Sequence, residues 1–187
     1  MKAAFIVFDN MTTLDFVGFY DAMTRLKTMK FMDDFEWKIC ARTAQVTDDR
    51  GLKFAADTVA ESLAGFDLLF IPGGYGTRPL QHDAAFVEWI ATAQNAKLKT
   101  SVCTGSLLLG AAGFLKGKRA TTHPSAYKEL EPYCATVVQK RIVDEGNVIT
   151  GGGVSTSIDL GLHLVQRLAG DGARARIAKQ MDYPYQA

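Results

Sequence analysis

Cys103 occupies the most telling position in this chain of 187 residues. It lies in Lys99-Thr100-Ser101-Val102-Cys103-Thr104-Gly105-Ser106-Leu107, where a short strand pattern turns into a helix pattern at the cysteine itself. A residue at such a turn needs a tight, strained backbone and therefore small neighbours. Ser101 stands two before it and Gly105 two after, which is the spacing of a nucleophile elbow. The helix start that follows offers unpaired N–H groups and the positive end of its dipole, and both favour thiolate over thiol. Nucleophilic chemistry is one reading; a thiol that only fills space is the other, since free cysteines are among the most buried residues.

Three further features could act with that thiol. Ile71-Pro72-Gly73-Gly74-Tyr75-Gly76 ends a strand pattern in a glycine cluster, where ligands of open α/β sheets bind and where backbone N–H groups can stabilise developing negative charge. It has neither the dinucleotide spacing nor a Gly-Lys-Ser/Thr phosphate loop, so it reads as an anion-stabilising loop or as a plain turn. Asp15, in Leu14-Asp15-Phe16-Val17-Gly18, has apolar neighbours. Buried without a cation it would hold a proton near neutral pH; at a helix start it would simply answer the dipole. His123, in Thr121-Thr122-His123-Pro124, is either a base for Cys103 or a capping residue. No two histidines have ligand spacing, so no metal is expected.

Short apolar runs that alternate with helical patterns must position these groups, which predicts a mostly parallel sheet with helices on both faces. Strands are expected at Ala3–Phe8, Trp37–Ala41, Leu68–Ile71, Thr100–Val102, Arg119–Thr121, Thr136–Gln139 and Asn147–Thr150, with a small hairpin turning at Asp48-Asp49-Arg50-Gly51. Helices are expected from Thr12 to Lys27 with a threonine N-cap, from an Asp83 cap to about Asn95, from Gly105 to Ala112, and from Ser155 to Leu168. Gly170-Asp171-Gly172 should break the chain before a last helix, Ala173 to Gln180, whose basic residues form a solvated face.

Twenty-one basic and 20 acidic side chains leave a formal charge of +1, without the basic cluster that phosphate backbones or anionic membranes require. The opening apolar stretch stops at Asp9, too short for a secretion signal, and no segment reaches the roughly 18 apolar residues of a membrane span. No helix-turn-helix is expected at either end. The cysteines, Cys40, Cys103 and Cys134, are three at wide spacings, which fits a thiol-bearing cytoplasmic protein and not a disulfide framework. With no repeat, linker or composition shift, one domain over 1–187 is expected, with no nucleic-acid or membrane partner.

Taken in order, the acid after the first strand, Pro72-Gly73-Gly74, the cysteine elbow and Thr150-Gly151-Gly152-Gly153 resemble the ThiJ/PfpI superfamily, relatives of class I glutamine amidotransferases, over essentially the whole chain. The expected fold is then a single-domain, flavodoxin-like three-layer α/β sandwich. Val102-Cys103-Thr104-Gly105-Ser106, Leu109-Gly110-Ala111-Ala112-Gly113, Lys118-Arg119-Ala120-Thr121-Thr122-His123 and Thr150-Gly151-Gly152-Gly153-Val154 are most similar to the isonitrile hydratase branch. Peptidase members place a histidine directly after the cysteine, where this chain has Thr104. Deglycase-like and glyoxalase-like members use a glutamate where the matching acid here is Asp15. Pro124 and Ser155-Thr156-Ser157 depart from the hydratase pattern, which bears on substrate identity through the pocket lining.

The resemblance implies hydration of an isonitrile to an N-substituted formamide without a cofactor, with Cys103 as nucleophile, Asp15 as proton donor, and Thr104 orienting Asp15 through its hydroxyl. The N–H groups of Thr104 and Gly74 would stabilise charge, and Gly73, Tyr75, His123, Gly152, Gly153 and Val154 would border the substrate. It also implies a homodimer with the first helix near the partner, to which Phe16, Phe19 and Tyr20 would lend apolar surface. Other activities within the same resemblance are a small-molecule sensor related to those of AraC-type regulators, a redox-responsive thiol protein, and an amidase-like or glyoxalase-like enzyme.

Overall fold

A computed structural model describes residues 1–184 of the chain; the last three residues of the expected domain, 185–187, lie outside the described residues. Strands β1 (Lys2–Ile6), β2 (Glu36–Ala41), β5 (Thr58–Val59), β6 (Leu68–Ile71), β7 (Leu98–Val102), β10 (Ile142–Asp144) and β11 (Val148–Gly151) form one sheet in the order β10-β11-β7-β6-β1-β2-β5. All neighbours are parallel except the β10–β11 edge. Two small pairs lie outside this sheet: the antiparallel hairpin β3 (Gln45–Thr47) with β4 (Lys53–Ala55), and β8 (Arg119–Ala120) with β9 (Thr136–Val137).

Helices α1 (Thr13–Thr28), α2 (Thr77–Leu80), α3 (Ala84–Ala91), α4 (Gly105–Ala111), α5 (Tyr127–Leu130) and α6 (Thr156–Gln180) complete the fold. The chain runs from β1 outward to β2 and β5, then returns to β6 on the other side of β1 and continues through β7 to β11. Because parallel connections are right-handed, this reversal puts α1 on one face and α3 and α4 on the other. α6 returns to pack along α1, and α3 packs on α4. The result is a flavodoxin-like three-layer sandwich. The carboxyl ends of β1 and β6 meet where the order reverses, and the loops that open there form the crevice of such sheets.

Parallel strands covered on both faces must be apolar throughout. β6 is Leu-Leu-Phe-Ile, buried at every position. On the α1 face Phe5 meets Phe16, Phe19 and Phe70 edge-on, and the Phe19 and Phe70 rings stack 3.8 Å apart. Of the aromatic residues that widen the apolar face of α1, Phe16 and Phe19 are therefore buried in the core of this chain itself, and Tyr20 is half-buried.

Several departures from the sequence expectations have physical causes. Thr12 takes the extended N-cap conformation of α1, but its hydroxyl makes no cap; it donates to Asp49, and the Thr13 hydroxyl donates to the Asp48 carboxylate. Both hydroxyls thus tie the β3–β4 hairpin to the start of α1. Asp83 does cap α3, accepting from the Phe86 N–H at 3.1 Å. Gly170, at φ 83°, breaks α6 where the sequence expects it. Edge strand β10 and the helical turns across 124–133 have too few residues to show a period, and neither is foreseen.

α1 and α6 approach closely because glycines face the contact. A Cβ on Gly161 would stand 2.7 Å from that of Ala22, and one on Gly18 would strike the Ser157 hydroxyl. Gly161→Leu should lower the unfolding free energy by about 1–3 kcal/mol, the usual cost of overpacking. Urea titration followed by circular dichroism measures this, and an unchanged midpoint would contradict such close packing.

Candidate active site

Cys103 follows β7 with φ 55°, in the left-handed region that non-glycine residues rarely enter. Its amide donates to the carbonyls of Gly151 (3.0 Å) and Gly152 (2.7 Å), and its carbonyl accepts from the Thr122 hydroxyl at 2.9 Å. The strained turn is thereby pinned from both sides. Gly105 lets α4 start against the end of β6: a Cβ there would lie 2.6 Å from the Pro72 carbonyl oxygen and closer still to that of Ile71. The small-residue spacing around the cysteine thus has a direct steric cause.

Asp15 is fully buried at the start of α1. Its Oδ2 accepts from the Gly73 N–H at 2.9 Å, while Oδ1 is buried with no hydrogen-bond partner among the described residues. Gly73 fits between three groups: a Cβ there would lie 2.6 Å from the Thr104 nitrogen, 2.7 Å from the Cys103 Cβ and 2.8 Å from Asp15 Oδ2. The loop after β6 therefore acts as the spacer that holds acid and thiol together. Burial pushes the Asp15 carboxyl up from 3.8 to about 7, against the opposing effects of the Gly73 amide and the Cys103 thiol.

The thiol does not follow the helix-terminus expectation. Burial first, and then the Asp15 charge, push it up to about 12, although the Thr104 amide and hydroxyl act the other way. α4 is only seven residues long, and its dipole does not offset the desolvation of an anion. Near neutral pH the thiol thus keeps its proton, and the Asp15 carboxyl is the group of the pair that changes charge.

A cavity of about 330 Å³ opens over the Cys103 side of this pair, with Asp15 behind it and outside the lining. Cys103, Thr104, Gly74, Tyr75, His123 and Val154 line it, as the sequence reading expects. Tyr75 stands at the mouth, 73% exposed. Gly73 lies behind the thiol. Gly152 serves through its carbonyl, and Gly153 lies against the His123 ring, which a Cβ would approach to 3.1 Å.

Two expected roles need correction. The Thr104 hydroxyl accepts from the Gly74 N–H at 3.0 Å and donates to the Gly74 carbonyl at 3.1 Å, so it positions the glycine loop and not Asp15. The same bond occupies the Gly74 N–H expected to stabilise charge. His123 uses Nδ1 on Ser125, accepting from its N–H at 3.2 Å, and so caps the turn that follows. Pro124 and Ser157 do not line the cavity: Ser125 does, and Ser157 donates to the Leu14 carbonyl at 3.0 Å.

The sequence reading missed the rim. Thr12 and Leu14 from the start of α1, Asp49 and Arg50 from the hairpin and Arg78 from α2 all border the cavity. Arg78 pairs with Glu129 at 2.9 Å and lies 5.7 Å from the Tyr75 ring. No motif marks these residues, but the Asp48-Asp49-Arg50-Gly51 turn was visible, and only its placement over the sheet was not.

The family model for the DJ-1/PfpI family matches residues 1–167. The chain belongs to the DJ-1/PfpI family. It is 38% identical over 185 residues to an isonitrile hydratase of Pseudomonas putida, a match covering 98% of this chain and 78% of that protein. It is also 30% identical to the HTH-type transcriptional regulator CdhR of Pseudomonas aeruginosa, covering 88% of this chain but 50% of the regulator. Among solved structures, a THiJ/PfpI family protein from Pseudomonas syringae superposes with a TM-score of 0.90 at 32% identity, over 100% of this chain and 76% of that one. Among the described residues of this family member, no helix is long and apolar enough to cross a membrane.

The Asp15 burial has a thermodynamic consequence. Its folded value near 7 exceeds its ordinary 3.8, so between those values the folded chain holds more protons than the unfolded one, and stability falls as pH rises through that window. Asp15→Asn should abolish this loss. Urea unfolding should find the variant more stable than the native chain at about pH 8, with the gap closing toward about pH 4. Parallel pH profiles for the two proteins would refute a buried, protonatable Asp15.

Proposed function

We propose that this protein hydrates an isonitrile to an N-substituted formamide. The observation that carries the proposal is that Cys103, on a backbone held at positive φ, lines a cavity with the buried Asp15 carboxyl directly behind it. The 38% identical isonitrile hydratase supports the same reading.

The terminal carbon of an isonitrile carries a lone pair and becomes electrophilic once protonated, so the reaction needs an acid and a nucleophile at one atom. Asp15 in its protonated form delivers a proton to that carbon, and Cys103 sulfur, its own proton passing to the carboxylate, bonds to the same carbon to give a thioimidate. Asp15, protonated again, gives that proton to the thioimidate nitrogen and takes one from the water that bonds to the same carbon; the hydroxyl of this adduct then becomes the formamide carbonyl as the carbon–sulfur bond breaks, its proton passing to the leaving sulfur and restoring the thiol. The sum is isonitrile plus water to formamide. The raised Asp15 value suits this relay, because a group titrating near 7 can both give and take a proton at neutral pH. The raised thiol value means that the nucleophile is generated by proton transfer within the pair and does not stand as a free thiolate.

The proposal includes Thr104 and Gly73 as positioning residues, Gly74, Tyr75, His123, Gly152, Gly153 and Val154 around the substrate, no cofactor, a small substrate, a cytoplasmic setting and a homodimer. The regulator CdhR favours a second reading, in which the same cavity binds a small molecule without turnover.

Cys103→Ala should eliminate formamide production from a panel of small isonitriles, measured by chromatography; retained turnover would exclude the nucleophile. Asp15→Asn should lower turnover by about 100-fold or more, the usual weight of a general acid. Its thiol should titrate lower in iodoacetamide alkylation profiles, because the carboxylate charge that lifts it is gone. A native chain that binds panel members saturably without converting any would favour the sensor.

A further inference from the structure

At the opposite end of β7 from Cys103, a second cavity of about 360 Å³ lies between the end of α4 and the start of β11. Lys99 lines it and is only 4% exposed. Its ammonium donates to the Ala96 carbonyl at 2.7 Å and lies 5.2 Å from the Phe114 ring centroid. Among the described residues it belongs to no ion pair. Lys118, half-buried, borders the same cavity and likewise forms no ion pair among those residues. Burial and the Lys118 charge hold the Lys99 ammonium below its usual value. Glu145, whose carboxyl feels the Lys118 charge, is taken up by Arg119 at 2.7 Å. Gln94 and Asn147, both exposed, also line the cavity.

Two cations converging on one partly buried space, with no carboxylate between them, form an arrangement that a bound anion would stabilise. The Ala96 carbonyl uses one of three ammonium hydrogens on Lys99, which leaves two for a ligand. A carboxylate would match one charge and offer two oxygens. A phosphate group matches both charges and offers three oxygens to donors on different elements. The volume exceeds that of the anion alone, and the Phe114 and Val148 side chains add apolar wall. We propose that this cavity binds the phosphate group of a small organic molecule, with Lys99 and Lys118 as its counter-charges.

Isothermal titration calorimetry of the full chain with inorganic phosphate at low ionic strength tests this, with acetate at matched ionic strength as the second arm. Saturable phosphate binding is expected, weakened about tenfold or more by Lys118→Ala, the usual loss for one charge-assisted contact. Lys99→Met, which keeps the apolar stem, should weaken it at least as much. Cys103→Ala, at the other pole of the sheet, should retain it. Absence of saturable heat, binding that survives both lysine substitutions, or acetate binding as tight as phosphate would overturn the assignment.

Discussion

The structure turns on keeping an acid without a cation next to a thiol inside the protein. Burying an ionised carboxylate alone is costly, so the group answers by holding its proton. That requires water to be kept away and the neighbouring backbones to come closer than side chains allow. Gly73 and Gly105 supply that closeness, and the carbonyls of Gly151 and Gly152 hold the Cys103 amide so that the turn stays in its strained form. Four strand ends, those of β1, β6, β7 and β11, converge on this arrangement, and the sheet reverses its order between β1 and β6. A different strand order would deliver the same residues to separate places.

The site also shows how local rules give way to tertiary demands. A threonine before a helix is ordinarily a cap, yet Thr12 and Thr13 both turn to carboxylates of the β3–β4 hairpin. A cysteine at a helix start is ordinarily acidified, yet here desolvation outweighs a short helix and the thiol resists ionisation. In each case the deciding partner is far away in sequence, and its effect exceeds the local preference.

This separates what could be read in the chain from what could not. The sheet, the hairpin, the Asp83 cap and the break at Gly170 follow from periodicity and from residues with restricted backbones, signals that lie within a few positions of one another. Cys103, Gly105 and the Pro72-Gly73-Gly74 loop were visible for the same reason. The partner of the Thr104 hydroxyl was not legible, because Gly74 and Asp15 both lie far off in sequence and only the fold chooses between them. Arg50 and Arg78 carry no motif, and they reach the cavity only because the hairpin and α2 lie over the ends of the strands.

The cavity wall is built in two different ways. Its floor consists of backbone held by steric necessity, where almost any added atom collides. Its upper edge is made of side chains on a hairpin tied to α1 by two hydroxyl–carboxylate bonds and to the loop after β1 by backbone bonds of Thr47 and Asp49, and on a four-residue helix whose Arg78 pairs with Glu129. None of those attachments is made to the Cys103 or Asp15 side chain. The upper edge can therefore be redrawn, by exchanging a few residues or a whole hairpin, while the thiol and acid underneath keep their places.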